Sequence, residues 1–394
     1  MTRGNPWLLP EGVDEVLPPD AWRLERLRRR LLDIFERSGY QLVIPPLVEY
    51  LDSLLSGIGE DLDLQTFRLT DQVSGRAMGV RADITPQVAR IDAHRLATEA
   101  PQRLCYIGPV VHTRPDKFAG SRNPLQLGAE LYGHRGIESD AEIITLLLDI
   151  LRAAGVDNIT IELGHMGLFH AICESAAFSA EFESKVLDML LMKDKTGLQS
   201  LLADTGADVS NHLLALLTLN GDASTVSAAR DQLADAPDSV RTALGEMTAL
   251  VELLGARAPD LDIHIDFAEL RGYRYHTGII FAAYTPAAGR AIAWGGRYDN
   301  IGETFGRARS ATGFSTDLKV LTALSDDAAV ELNRIFAPSG TSPDLLAAIR
   351  DYRAAGYVVV QALPGQQGDA AALGCTQFLS DESGTWQLED VSKG

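Results

Sequence analysis

Residues 103–133 read RLCYIGPVVHTRPDKFAGSRNPLQLGAELYG, and the reading of this stretch decides the fold. Two apolar-rich segments flank a polar loop punctuated by glycine and proline, the pattern of two joined strands. In the second segment Leu125, Leu127, Ala129 and Leu131 share one face. Gln126, Gly128, Glu130 and Tyr132 share the other, because side chains alternate along a strand. Gly128 contributes no side chain, so Gln126 and Glu130 are expected to flank an open slot on the sheet. An amide and a carboxylate beside a bare patch suit a small ligand with an ammonium or imidazole group. A solvated polar face is the plainer alternative, and other residues converging on the slot would decide against it.

Outward from this hairpin, residues 20–38 follow helical spacing through Leu24, Leu27, Leu31, Ile34 and Phe35, with Asp20 as cap and Gly39 as stop. A strand at Gln41–Ile44 ends on Pro45-Pro46, since proline cannot continue a ladder. Residues 66–70 and 77–82 read as a hairpin around DQVSG. In Asp83-Ile84-Thr85-Pro86, Thr85 suits an N-cap and Pro86 the first helical position. Ser139-Asp140-Ala141-Glu142 reads as a capping box ahead of an apolar helix running to about Arg152. After a strand in 156–163, residues of about 175–257 show only helical patterning and read as an inserted helical subdomain. Strands resume at 261–268, 271–284 and 291–300, and 311–325 suggests a closing turn and helix. APSGTSP (337–343) reads as a linker. Past it, a helix at 344–355 and strands form a small α/β tail. Hairpin-paired strands with helices to one side imply an α+β fold around a largely antiparallel sheet, with residues 1–330 as the main domain and 338–394 as the second. Arg297 reads as a buried pairing arginine.

With 394 residues, 46% of them hydrophobic, the chain is long enough for two or three domains with real cores. No apolar run reaches the roughly 18 residues of a membrane span, and the N-terminus lacks a secretion signal. Cys105, Cys173 and Cys375 are widely spaced and odd in number, which argues for a reducing compartment, the cytoplasm, and against disulfides or a structural zinc site. The net charge of −19 weighs against a nucleic-acid partner, whose phosphates ask for a basic surface.

Several blocks in order, from about residue 8 to 325, make the chain resemble the catalytic domain of histidyl-tRNA synthetase, a class II aminoacyl-tRNA synthetase. LPEGVDEVLP resembles its N-terminal segment, and the region around Pro45-Pro46 its dimer-interface motif. YIGPVV and LQLGAELYG resemble motif 2, LRGYRYHTG the histidine-binding stretch RGLDYYN, and GGRYDN with ATGFSTDL the approach to motif 3. The resemblance implies a histidine pocket formed by Asp83, Thr85, Gln126, Glu130, Arg271, Tyr275 and His276. Asp83 is shorter than the family's glutamate, and His276 replaces a tyrosine.

The chain departs from the synthetase pattern where ATP would be held. The motif 2 arginine position falls on His112, and the motif 3 arginine position on Val320. Adenylation needs cations on the phosphates, because negative charge accumulates there. The segment 331–394 is shorter than an anticodon-binding domain, and holds four Lys/Arg against eight Asp/Glu. A kept amino-acid pocket without ATP and tRNA features resembles the regulatory subunits of short-form ATP phosphoribosyltransferase. That resemblance implies a non-catalytic subunit without a cofactor, acting in the first step of histidine biosynthesis. It would form a homodimer within a hetero-oligomer, activate the catalytic subunit, and carry feedback inhibition by histidine as allosteric ligand. No nucleic acid and no membrane are expected as partners. A working histidyl-tRNA synthetase, or another synthetase-like histidine sensor, is the alternative.

Overall fold

The computed structural model describes residues 7–55, 60–114, 121–270, 276–299, 305–325, 333–366, 369–382 and 385–391. The chain divides into two units, Met1–Asp326 and Asp327–Gly394.

In the first unit the early strands are β1 (Gln41–Leu42), β2 (Val48–Tyr50), β3 (Phe67–Thr70) and β4 (Ala77–Val80). The stretch 103–133 supplies β5 (Gln102–Pro109) and β6 (Leu125–Tyr132). They are followed by β7 (Thr160–His165), β8 (Asn220–Asp222) and β9 (Asp262–Asp266). The last three are β10 (Ile279–Tyr284), β11 (Ala291–Arg297) and β12 (Ala311–Asp317). Nine of these form one sheet in the order β1-β5-β6-β12-β11-β10-β7-β9-β8, and β2-β4-β3 form a small sheet of their own. Within the large sheet only β1 with β5 and β7 with β9 run parallel, so the α+β expectation of a largely antiparallel sheet holds.

One face of the sheet is covered because its side chains are apolar. Leu127, Ala129 and Leu131 of β6 are buried in a core shared with Leu27, Leu31 and Phe35 of the helix Asp20–Arg37. The helix Ile137–Ala153 buries Ile143, Ile144, Leu147, Leu148 and Leu151 in the same core. Each such side chain removed from water contributes about 1.5–3 kcal/mol, so the covered face is strongly specified. The opposite face, called the open face below, is covered over β5 and β6 by a second, smaller core of Tyr106 and Tyr132 with Ile84 and Val88, and it carries the polar groups of the site.

Several local expectations are overturned by long-range partners. Ser139 is not a cap: the helix starts at Ile137 after Gly136, and no side chain caps it. Asp140 pairs instead with Arg297 (2.6 Å) and Glu142 with Arg103 (2.6 Å). Residues 311–317 form strand β12 rather than a turn. The insertion contains helices at Ala180–Leu191, Lys195–Leu201, Ala207–Leu216, Thr225–Gln232 and Asp238–Arg257, but also the short β8, which pairs with β9. The expectation of only helices over 175–257 is corrected by this strand, which forms because the edge of β9 recruits Asn220–Asp222.

The second unit is a four-stranded sheet, β13 (Arg334–Ala337), β14 (Val358–Gln361), β15 (Gln377–Glu382) and β16 (Thr385–Asp390), in the order β14-β13-β15-β16. Ile335, Val359 and Leu379 share a small core with Leu345 and Ile349 of the helix Pro343–Ala354. β13 lies ahead of residue 338 and takes Ala337 out of the expected linker, while Ser342 caps the helix.

Candidate functional site

On the open face, β6 places Gln126, Gly128 and Glu130 in alternate positions, as its periodicity requires. Tyr106 of β5 stands directly opposite Gly128 in the ladder. A Cβ on Gly128 would lie 2.4 Å from the Tyr106 hydroxyl and 2.5 Å from the Phe314 carbonyl oxygen. The expected open slot is therefore filled by Tyr106, which lies over the glycine. This is a correction to the sequence reading, and its cause is a residue on the neighbouring strand.

Glu130 is buried, and hydroxyls surround it. Thr85 Oγ1 donates to Glu130 Oε1 (2.9 Å), Tyr106 lies within hydrogen-bond distance of both Thr85 Oγ1 (2.9 Å) and Glu130 Oε1 (3.1 Å), and Tyr298 donates to Glu130 Oε2. Burial pushes the Glu130 carboxyl up to about 8; the hydroxyl donors oppose that shift and the nearby Asp83 charge adds to it. Directly across the ladder lies Gly313, where any Cβ would collide with Glu130 Oε2. The carboxyl lies flat on glycine backbone.

Asp83 and Gln126 form the second half. Gln126 Nε2 donates to Asp83 Oδ1 (2.7 Å) and Gln126 Oε1 accepts from Ile84 N (2.9 Å). Asp83 Oδ1 also accepts from Thr85 N (3.1 Å), so Asp83 satisfies the start of the helix Thr85–Ile91. Thr85 is thus not the cap expected from sequence, because its hydroxyl is spent on Glu130.

Asp83, Thr85, Gln126 and Glu130 come together. His276 stands over Gly296, two strands from Glu130 across Gly313, on the order of 10 Å by strand spacing. Arg271 and Tyr275 lie outside the described residues. Tyr106 and Tyr298 were missed. Tyr298 follows Arg297 in GGRYDN, a signal that could have drawn attention to it, but its partner is 168 residues away in sequence.

A cavity of about 150 Å³ adjoins Gln126, lined by Ala82, His112, Trp294, Asp317 and Val320 among others, with Arg290 also at its wall. His112 Nε2 is 2.9 Å from Ala82 O. Lys319 turns away to pair with Asp14 (3.1 Å). Arg122 donates to His112 O (3.0 Å) and Glu11 O (3.0 Å). Arg297 is the buried pairing arginine expected, bonded to Asp140, Ser139 Oγ and the His134 and Gly136 carbonyls.

Residues 12–321 match the histidyl-tRNA synthetase family, and residues 332–389 match the ATP phosphoribosyltransferase subunit HisZ C-terminal domain. An ATP phosphoribosyltransferase regulatory subunit of Thioalkalivibrio sulfidiphilus is 52% identical, covering 99% of this chain and 100% of the relative. The chain belongs to the ATP phosphoribosyltransferase regulatory subunit family. A regulatory subunit of Alkalilimnicola ehrlichii is 53% identical over 98% of this chain and 97% of its own length. Among solved structures, an ATP phosphoribosyltransferase regulatory subunit/histidyl-tRNA synthetase of Bacillus halodurans matches with a TM-score of 0.83 at 26% identity, over 95% of this chain and 97% of that one. A histidyl-tRNA synthetase of Nostoc matches at TM-score 0.78 and 17% identity, over 98% and 94%, and so shows the fold. This regulatory subunit family therefore carries the class II synthetase sheet with a distinct small C-terminal unit.

Proposed function

We propose that the chain is a non-catalytic regulatory subunit that activates short-form ATP phosphoribosyltransferase and delivers feedback inhibition by histidine. The observation that carries the histidine part is the convergence of Asp83, Thr85, Gln126 and Glu130. A buried carboxyl ringed by hydroxyls can receive an imidazole, while Asp83 and the Gln126 amide oxygen suit an α-ammonium. Arg271 would hold the ligand carboxylate, and Tyr275 and His276 would close the pocket. Histidine must bind the inhibited arrangement of the complex more tightly than the active one, and the coupling is reciprocal.

The reading without adenylation is supported by the cavity next to Gln126. His112 and Val320 line it at the two positions where the synthetase pattern has phosphate-holding arginines. An imidazole bonded to a carbonyl and an isopropyl group supply no planar cation for a developing phosphate charge.

Self-association is supported by the loop leaving β1. Ile44 is 81% exposed, and Leu47 and Val48 are also exposed, beside Pro45-Pro46 and a two-residue edge strand. A second copy of the chain covers this apolar rim.

The full-length chain is mixed with a short-form catalytic subunit, and phosphoribosyl transfer to ATP is followed with and without histidine. Turnover rises on mixing and falls with histidine. Glu130→Gln raises the histidine concentration needed while leaving co-elution of the subunits intact. No rise on mixing refutes activation, and unchanged inhibition in a folded Glu130→Gln variant places histidine elsewhere. Histidine-dependent pyrophosphate exchange with ATP by the pure chain would instead establish a synthetase.

A further inference from the structure

Three strands beyond Gly313 the open face changes chemistry. Glu162 of β7 stands directly opposite His264 of β9 in their parallel ladder, and Asp266 lies two residues on, on the same face. One ligand atom from each of the three lies within 4.8 Å of the other two. The two carboxylates are held in place. Asp266 is buried, and its Oδ1 accepts from Ala268 N (2.9 Å), while Tyr284 OH donates to Glu162 Oε1 (3.2 Å). Two carboxylates this close repel unless a cation lies between them.

The cation that the described residues supply is an ammonium. Lys193 Nζ donates to Asp266 Oδ2 at 2.5 Å. Its side chain is half exposed, so it can swing out to water once another cation takes its place beside the buried Asp266 carboxylate. A cavity lined by Glu162, Glu269, His276 and Tyr284 opens beside the cluster, giving an entry path and room for water ligands.

We propose that Glu162, His264 and Asp266 form a divalent metal site, that Zn²⁺ is its ion, and that the metal displaces the Lys193 ammonium. Two carboxylates and one imidazole are a donor set for a borderline ion, whereas Mg²⁺ and Ca²⁺ ask for oxygen alone. Zinc bonds of about 2.0–2.2 Å require the donor atoms to draw in by roughly an ångström, which rotation of the Glu162 and Asp266 side chains provides. Three protein ligands leave the remaining position to water. Lys193 belongs to the inserted helical segment, just past the helix Ala180–Leu191. Metal binding therefore exchanges a tie between insertion and sheet for a clamp between two strands of the sheet.

The full-length chain is stripped with EDTA, dialysed, and titrated with ZnCl₂ by calorimetry, with metal analysis of the dialysed product. The expected result is one Zn²⁺ per chain. His264→Ala and Glu162→Gln weaken it about tenfold or more, since loss of even an outer partner costs about 10–100-fold. Lys193→Ala tightens it, because the competing ammonium is gone. Melting curves identify which variants are folded. The proposal is overturned if neither the natural chain nor Lys193→Ala takes up one ion saturably. It is equally overturned if a folded His264→Ala or Glu162→Gln variant binds as the natural chain does.

Discussion

Tyr106 and Gly128 are cross-strand partners, and the tyrosine hydroxyl occupies the space that a side chain at position 128 would need. The same hydroxyl sits 2.9 Å from Thr85 Oγ1 and 3.1 Å from Glu130 Oε1. One aromatic ring thus closes the floor of the pocket and supplies part of its hydrogen bonding.

Gly128→Ala is expected to push Tyr106 off this position. The second close atom, the Phe314 carbonyl oxygen, is backbone and cannot rotate away. A loss of about 1–3 kcal/mol follows from overpacking, together with weaker histidine binding, read by urea unfolding and calorimetry. Gly245→Ala is the control. It lies in the helix Asp238–Arg257 with open space around it, so it should stabilise by about 0.5–1 kcal/mol.

Stability should fall as pH rises between about 4.5 and 8. The folded chain keeps the Glu130 proton up to about 8, whereas an exposed glutamate releases it near 4.5. The native state therefore binds more protons in this window, and the unfolded state is favoured as they are removed. The slope from this one group reaches at most about 1.4 kcal/mol per pH unit. Glu130→Gln has no proton to lose, so its stability profile over pH 5–8 should be flatter. Parallel profiles for the two proteins would show that Glu130 titrates normally.

Asp140→Asn should cost about 1–3 kcal/mol, because it removes the closer of two carboxylates from the buried Arg297 guanidinium and leaves Asp299 at 3.4 Å as its remaining charged partner. The Asp140 and Arg297 side chains are almost fully enclosed and 2.6 Å apart. Denaturant unfolding measures the loss. Asp238→Asn, whose partner Arg241 is solvent-exposed, should change little.

Arg81 is buried and donates to the Pro45 (2.8 Å) and Pro109 (2.9 Å) carbonyls, while Gln87 Nε2 donates to Pro46 O (2.9 Å). Arg81→Leu strips partners from these carbonyls, each costing about 1–3 kcal/mol when left unsatisfied. It should lower stability and also weaken self-association, followed by sedimentation velocity. Unaltered self-association in the folded variant would separate this loop from the contact between copies.

The sequence made the hairpin, the alternation of Gln126, Gly128 and Glu130, and the buried role of Arg297 readable, because each rests on local periodicity or on a charge with nowhere else to go. Thr85 and Ser139 were misread because short polar side chains give the same local signal whether they cap a helix or reach across the fold. Tyr106 was invisible as a pocket residue since cross-strand pairing depends on register, which a strand pattern alone leaves open. The four residues of β13 and the three of β8 are too short to carry a period. Burial of Glu130 depends on Tyr298 arriving from just past the end of β11, and no spacing within the motif announces it.

Beneath Glu130 and His276 the sheet offers backbone rather than side chains, at Gly313 and Gly296. At these two glycines the floor has no side chain that substitution can retune without lifting what rests on it. A change of ligand preference is therefore open to the side chains around Glu130 and His276, and closed to the two positions beneath them.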